Sequence, residues 1–173
     1  RERLRGAVEA GIERRLGDPT PAWGNWVKTL SSFERGLVRE SLDERLRGEE
    51  LSPAERDSLR ELADALGIPA EASETLRTGK RHERLQALSW LSLLEISPEP
   101  AVLSKHCTDG NDLRAGAARV LYEADHEDAT EIGTELLLGD STEMLSMDGL
   151  DTLYRLHEDD PTPLLARGAR EAS

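Results

Sequence analysis

Apolar side chains recur along this chain at the three- and four-residue spacing of an α-helix, and no stretch alternates as a half-buried strand does. The first stripe contains Leu4, Val8, Ile12 and Leu16 and stops at Gly17, a residue type typical of helix ends. The pattern favours no element for Ser141–Met147. The predicted helices, about ten in number, cover residues 4–16, 23–30, 31–48, 53–66, 69–78, 81–95, 98–107, 113–124, 129–138, 146–157 and 162–169.

Several of these helices start at recognisable capping residues. Ser31 with Glu34 has the spacing of a capping box, in which each side chain binds the backbone N–H of the other residue. Ser52 is followed by proline and then by glutamate at the third helical position, which is the clearest start signal in the chain. Pro98 and Asn111 are also predicted to start helices.

From residue 81 onward the predicted helices form pairs: 81–95 with 98–107, 113–124 with 129–138, and 146–157 with 163–169. The first helices are offset by about 30 and then about 33 residues. Pairs that cannot bury their apolar faces alone stack on the next pair, as in an α-solenoid. We therefore expect an all-α fold in which residues 1–80 form an irregular N-terminal helical cap and residues 81–173 form about three stacked hairpins. We expect the two regions to pack as one continuous domain.

The run Asp112-Leu-Arg114-Ala-Gly-Ala-Ala-Arg119 resembles the first helix of a HEAT repeat, a helical-hairpin unit of α-solenoids. The resemblance is clear over residues 111–138, weaker over 81–110 and marginal over 146–169. It implies a right-handed superhelix that acts as a non-catalytic scaffold for another protein. It also implies that Asp112, Arg114 and Arg119 hold neighbouring repeats together.

Six residues are candidates for contact with that partner protein. Second helices commonly line the inner face of a solenoid, which points to Ser104, Lys105, Glu131 and Glu135. Trp23 and Trp26 share a helix face, and aromatic side chains often dominate interfaces. The alternative for the two tryptophans is that they cover the end of the core.

Charge excludes some functions. The 173 residues include 35 acidic and 22 basic side chains, for a net charge of -13, and only three of the basic residues are lysines. Residues 1–92 carry a net charge of -1 and residues 93–173 a net charge of -12. Such a surface repels phosphate, so we expect no nucleic-acid partner and discard a DNA-binding HEAT enzyme. Acidic excess with few lysines favours a source that lives in high salt, such as a halophilic archaeon.

The sequence predicts no catalytic residue, no metal site and no cofactor. The alternative function is a HEAT-repeat lyase or an enzyme-accessory protein with a site near His106 and Cys107. Adjacent helical residues point about 100° apart, so these two do not readily share one ion. The acidic turns at 125–128 and 157–160 are interpreted as helix caps, since carboxylates are favourable at helix starts.

The longest uncharged run, Leu85–Leu94, is too short to cross a bilayer. The chain starts at Arg1, so we expect it to be part of a longer protein. Its first 80 residues, with a Trp-containing loop and Arg-rich helices, resemble the stretch between membrane anchor and repeats in membrane-tethered prokaryotic HEAT proteins. We expect a cytoplasmic protein, and tethering through a segment outside this chain stays open.

The halophile interpretation predicts that salt stabilises the fold. Molar KCl screens the repulsion among the excess carboxylates, so the melting temperature should be higher in molar KCl than in low salt. Each kcal/mol gained should raise the melting temperature by roughly 2–4 °C for a chain of this length. Thermal unfolding followed by circular dichroism in the two buffers checks this, and equal melting temperatures would contradict it.

Overall fold

The computed structural model describes residues 1–48, 50–139 and 144–172, and over these residues it confirms the all-α fold class. The described residues form eleven helices and no strand. The helices are α1 (Glu2–Leu16), α2 (Trp23–Thr29), α3 (Ser32–Gly48), α4 (Pro53–Ala65), α5 (Ile68–Thr78), α6 (Arg81–Leu94), α7 (Pro100–His106), α8 (Asn111–Glu123), α9 (Ala129–Leu138), α10 (Met147–Leu156) and α11 (Thr162–Glu171). None of them has both the length and the apolar character that crossing a membrane requires. Residues 141–143 of the segment that favoured no element lie outside the described residues.

The two capping-box signals are confirmed as helix starts. The Ser31 N–H donates to Glu34 Oε2 at 2.8 Å, and the Glu34 N–H donates to Ser31 Oγ at 3.2 Å. The hydrogen bond from the Ser31 backbone N–H is the main reason why the pKa of Glu34 lies below its usual value. At α4, Ser52 Oγ accepts the N–H of Glu55 at 3.1 Å.

Two other predicted starts are wrong by one or two residues. α7 begins at Pro100 rather than Pro98, because the residue before a proline is held out of the helical region, and Glu99 has φ -55° and ψ 131°. α8 has Gly110 as its N-cap, with φ 99°, so the chain turns one residue before Asn111. Asn111 is therefore the first helical residue, and its side-chain amide donates to the backbone oxygen of Met144.

The chain divides into two compact units, Arg1–Glu71 and a second unit that starts at Ala72. The division falls within α5, whereas the sequence places the end of the cap at residue 80. In the first unit, α1 packs against α3, and α2 and α3 both pack against α4. Its core contains apolar side chains with no exposed surface, including Ile12, Val38, Leu42, Leu59 and Leu62.

Ion pairs show that α1 and α3 lie parallel in the first unit. Arg1 pairs with Glu40 at 3.3 Å, and Arg5 pairs with Glu44 at 2.9 Å. Both pairs join residues 39 positions apart, which requires the two helices to run in the same direction. All four side chains are exposed, so solvent weakens each pair and the two pairs contribute little to stability.

A tryptophan cluster fills the space between α1 and α2. The Trp26 ring lies against Gly11, where an added Cβ would come within 2.6 Å of Trp26 Cζ2. The Arg15 guanidinium lies 4.6 Å from the centre of the same ring, a cation–π arrangement. The ring centroids of Trp23 and Trp26 are 5.8 Å apart.

In the second unit, α8 packs against α6, α9 and α10, while α9 packs against α7 and α10. Small residues allow these close approaches. A Cβ on Gly116 would lie 3.0 Å from Leu88 Cδ1, and a Cβ on Gly133 would lie 2.8 Å from Leu156 Cδ1. The core of this unit therefore contains contacts in which a leucine of one helix packs against a glycine of a neighbouring helix.

Alanine at Gly11 and at Gly6 should have opposite effects on stability. Both glycines lie within α1, and alanine gains up to about 1 kcal/mol of helix propensity at each. Gly6 has no neighbouring atom within 4 Å of an added Cβ, so Gly6→Ala should raise the free energy of unfolding. Gly11→Ala must displace the Trp26 ring, which costs about 1–3 kcal/mol, and should lower it.

Urea unfolding followed by tryptophan fluorescence and circular dichroism measures both variants. A gain of the same size in both would show that the Trp26 ring moves away from α1 at no cost.

Candidate functional site

The candidate site lies in the second unit, on α7 and α9. Each is the second helix of its pair, and the two are in contact. α7 buries Val102 and Leu103 and leaves Ser104 and Lys105 exposed. This division follows from the amphipathic pattern of the helix, since one side must face α9 and the core.

α9 is divided in the same way. It buries Thr134, Leu136 and Leu137, and it leaves Glu131 and Glu135 exposed, one helical turn apart. The four exposed residues Ser104, Lys105, Glu131 and Glu135 define what we call the α7–α9 face. They are four of the six residues that the sequence points to as partner contacts.

A shallow cleft of about 270 Å³ opens in this region. Two residues of the α7–α9 face, Ser104 and Glu135, line it, whereas Lys105 and Glu131 do not. Its other lining residues are Thr108, Arg114, Leu136 and Gly139. The structure thus brings Ser104 and Glu135 together with Arg114, which the sequence assigns to contacts between repeats.

Glu135 is held by an arginine that the sequence analysis missed. Arg167 Nη1, on α11, donates to Glu135 Oε1 at 2.7 Å, and Arg167 Nε donates to Glu171 at 2.9 Å. The hydrogen bond to Glu135 is the main cause that raises the pKa of Arg167 above its usual value. A signal was present, because Glu135 and Arg167 are 32 residues apart, close to the offset of the helix pairs.

Two arginines, each the fourth residue of its helix, donate to backbone oxygens at the end of α7 and just beyond it. Arg84 Nη1 donates to the His106 backbone oxygen at 3.0 Å, and Arg114 Nε donates to the Thr108 backbone oxygen at 2.9 Å. The His106 carbonyl lies in the last turn of α7 and lacks a partner within the helix, so the Arg84 side chain satisfies it from outside. Within the described part of the chain, Arg114 forms no ion pair, and its remaining donors lie beside the cleft.

Of the other two residues assigned to contacts between repeats, only Asp112 reaches another helix. Arg81 on α6 pairs with Asp112 on α8, so the ion pair joins the first turns of two first helices 31 residues apart. Arg119 instead approaches Glu123 at 3.7 Å within its own helix. Among the described residues, Arg119 therefore forms no ion pair that joins two helix pairs.

The two tryptophans differ in accessibility. Trp23 is 3% exposed, and its Nε1 donates to Ser58 Oγ at 3.1 Å. A side chain with so little open surface offers a partner almost nothing to contact, so Trp23 belongs to the core of the first unit. Trp26 is half-buried between Gly11 and Arg15.

The environment of Cys107 is unlike that of a catalytic thiol. Cys107 has no exposed surface and lies within the apolar core of the second unit. Burial raises its pKa to about 11, against a smaller opposing effect of Arg84. Nucleophilic attack requires the thiolate, which burial disfavours here.

Side chains of both acidic turns accept backbone N–H groups ahead of the next helix, but in the first turn the acceptor is His126, and Asp128, the N-cap of α9, makes no side-chain cap hydrogen bond. His126 Nδ1 accepts the N–H of Asp128 at 3.1 Å ahead of α9, and Asp160 Oδ1 accepts the N–H of Thr162 at 3.0 Å ahead of α11. Hydrogen bonds from the side chain and backbone of Thr162 lower the pKa of Asp160. Within residues 1–48, 50–139 and 144–172, no group of three His, Cys, Asp or Glu side chains is placed to hold a metal ion.

A buried polar chain at the end of α10 was not predicted. His157 is 5% exposed, and its Nε2 lies 2.8 Å from Thr134 Oγ1. The Thr134 hydroxyl donates to the Thr130 backbone oxygen at 2.5 Å, so His157 Nε2 is the donor to Thr134. His157 Nδ1 is buried without a hydrogen-bond partner.

Comparison of the chain with protein-family profiles, with curated proteins and with solved structures found no match. Any assignment of function therefore depends on the geometry described above.

Cys107 should react slowly with alkylating reagents in the folded protein. With a pKa of about 11, roughly one thiol in a thousand is ionised at pH 8, about a hundredfold fewer than for a thiol with the reference pKa of 9.0. Iodoacetamide labelling, read by mass spectrometry, should be at least that much slower in the native chain than in denaturant. Cys107→Ala supplies the blank, and equal rates in the two states would show that the thiol is accessible.

Proposed function

We propose that residues 81–173 form a HEAT-like α-solenoid that acts as a non-catalytic scaffold and binds another protein through the α7–α9 face. The observation that carries the proposal is the order of helix contacts. α6, α8 and α10 pack side by side in chain order, and the second helices α7 and α9 pack side by side as well. Stacking of helical hairpins requires this order, and in the pair α8–α9 the two helices also pack against each other.

The chemistry of this face favours a protein partner over other ligands. Lys105, Glu131 and Glu135 present both signs of charge on two rigid helices, a pattern suited to polar contacts at the rim of an interface. The cleft, at about 270 Å³, is slightly smaller than typical small-molecule sites of roughly 300–1,000 Å³. The net charge of -12 over residues 93–173 disfavours nucleic acid.

The alternative of an enzyme site near His106 and Cys107 gains no support from the geometry. Cys107 is buried with a raised pKa, and the backbone oxygen of His106 is bound by Arg84. The acidic surface supports the cytoplasm of a salt-adapted organism as the setting of the scaffold.

A pair of charge reversals tests the proposed face. Lys105→Glu should remove or weaken at least tenfold the enrichment of one specific partner when the tagged chain is recovered from a lysate of its source organism. Lys105 is exposed and has no ion pair among the described residues, but it lies in the last turn of α7, so the reversal should lower the free energy of unfolding by at most about 1–2 kcal/mol.

Lys28→Glu is the matched control, since Lys28 is an exposed lysine on α2 of the first unit. It should leave the same partner enriched, as quantified by mass spectrometry. A partner that is retained equally by both variants, or no enriched protein at all, would overturn the proposed face.

A further inference from the structure

The exposed apolar side chains of this protein are concentrated near α10. Seven large apolar side chains are exposed among the described residues, and five of them fall within residues 144–165. Met147, Leu150 and Tyr154, which are 80%, 49% and 68% exposed, follow one another on α10 at spacings of three and four residues. They therefore form one continuous line on the helix surface, which we call the α10 stripe.

The opposite side of α10 is already buried. Gly149, Thr152 and Leu156 are buried, and α10 packs against α8 and α9. A helix that is apolar on two sides is typical of an element that is covered on both. On a folded protein, a contiguous exposed apolar patch commonly marks an interaction site, whereas apolar residues scattered singly over the surface do not.

The order of helix contacts indicates which kind of structural element fits the α10 stripe. α8 lies along α6, and α10 lies along α8. The α10 stripe is the side of α10 that no described helix covers. An α-helix that lies along α10, as α10 lies along α8, fits this surface.

The charge around the α10 stripe indicates which side chains a covering helix should carry. Residues 147–160 contain five carboxylates and a single arginine, Arg155, which already pairs with Asp151 at 2.8 Å. Asp148, Glu158 and Asp159 are exposed and form no ion pair among the described residues. A covering helix with basic side chains along its flanks would neutralise this acidic rim.

A second copy of the chain is a poor occupant for the same reason. Two such surfaces would bring their carboxylates together, and each chain carries a net charge of -13. Like charges facing each other across an interface cost several kcal/mol.

We propose that the α10 stripe binds an amphipathic helix of a partner protein, whose apolar side covers Met147, Leu150 and Tyr154 and whose flanks carry Lys or Arg. Tyr and Met are enriched at interface centres, so these side chains supply the anchor, and the carboxylates supply orientation. The α10 stripe is a separate surface from the α7–α9 face, so either proposal can fail without the other.

The test uses a labelled helical peptide of roughly 20 residues, made of Leu and Lys with the leucines on one side. Fluorescence anisotropy at roughly 0.1 M salt measures its affinity for the full chain. The double variant Leu150→Ser/Tyr154→Ser should weaken binding at least tenfold. Glu158→Gln/Asp159→Asn, which leaves the stripe intact, should weaken it by a smaller factor.

The matched control is Phe33→Ser, which removes a side chain that is 52% exposed on α3 in the first unit, and it should leave the affinity unchanged. A peptide of the same composition with the leucines scattered around the helix should bind at least tenfold more weakly. Circular dichroism should show unchanged helical content in every variant, since all the altered side chains are exposed.

Three results would overturn the proposal. Equal affinity of the Leu150→Ser/Tyr154→Ser variant and the unaltered chain would show that charge alone attracts the peptide. Equal affinity for a Leu and Glu peptide would show that the acidic rim selects nothing. A dimer in sedimentation that the double variant abolishes would make the α10 stripe a contact between copies.

Discussion

The second unit depends on the close packing of α8 between α6 and α10. α8 buries nearly half of its residues, and several of these are alanines, which let neighbouring helices approach. Gly116 meets Leu88 of α6, and Gly133 of α9 meets Leu156 of α10. Because interiors are close-packed, a larger residue at such a contact must displace the leucine side chain that it meets.

The helix starts that the sequence predicted correctly depend on local chemistry. At Ser31 and Ser52, the capping groups lie three residues apart, so their hydrogen bonds need no tertiary contact. The two errors are also local. Pro98 and Pro100 both fit a first helical position, and only the extended backbone at Glu99 separates them.

Helix amphipathicity predicts which residues of the candidate site are exposed. The exposure of Ser104 and Glu135 follows from which side of each helix carries apolar residues. The sequence left open whether Trp23 contacts a partner or covers the core, and its hydrogen bond to Ser58, on a different helix, could not be read from local spacing. Arg167 could have been found by its charge, since Arg81–Asp112 and Glu135–Arg167 join opposite charges 31 and 32 residues apart.

The buried chain of His157, Thr134 and Thr130 has a consequence for the uniqueness of the fold. A core made mostly of leucine and alanine tolerates sliding of one helix past another, because many registers bury similar apolar area. If α10 moved along α9 by one turn, the hydrogen bond between the His157 ring and the Thr134 hydroxyl would break while both side chains stayed buried. Polar groups of this kind favour a single alignment over its competitors. The three residues thus favour one register of α10 against α9.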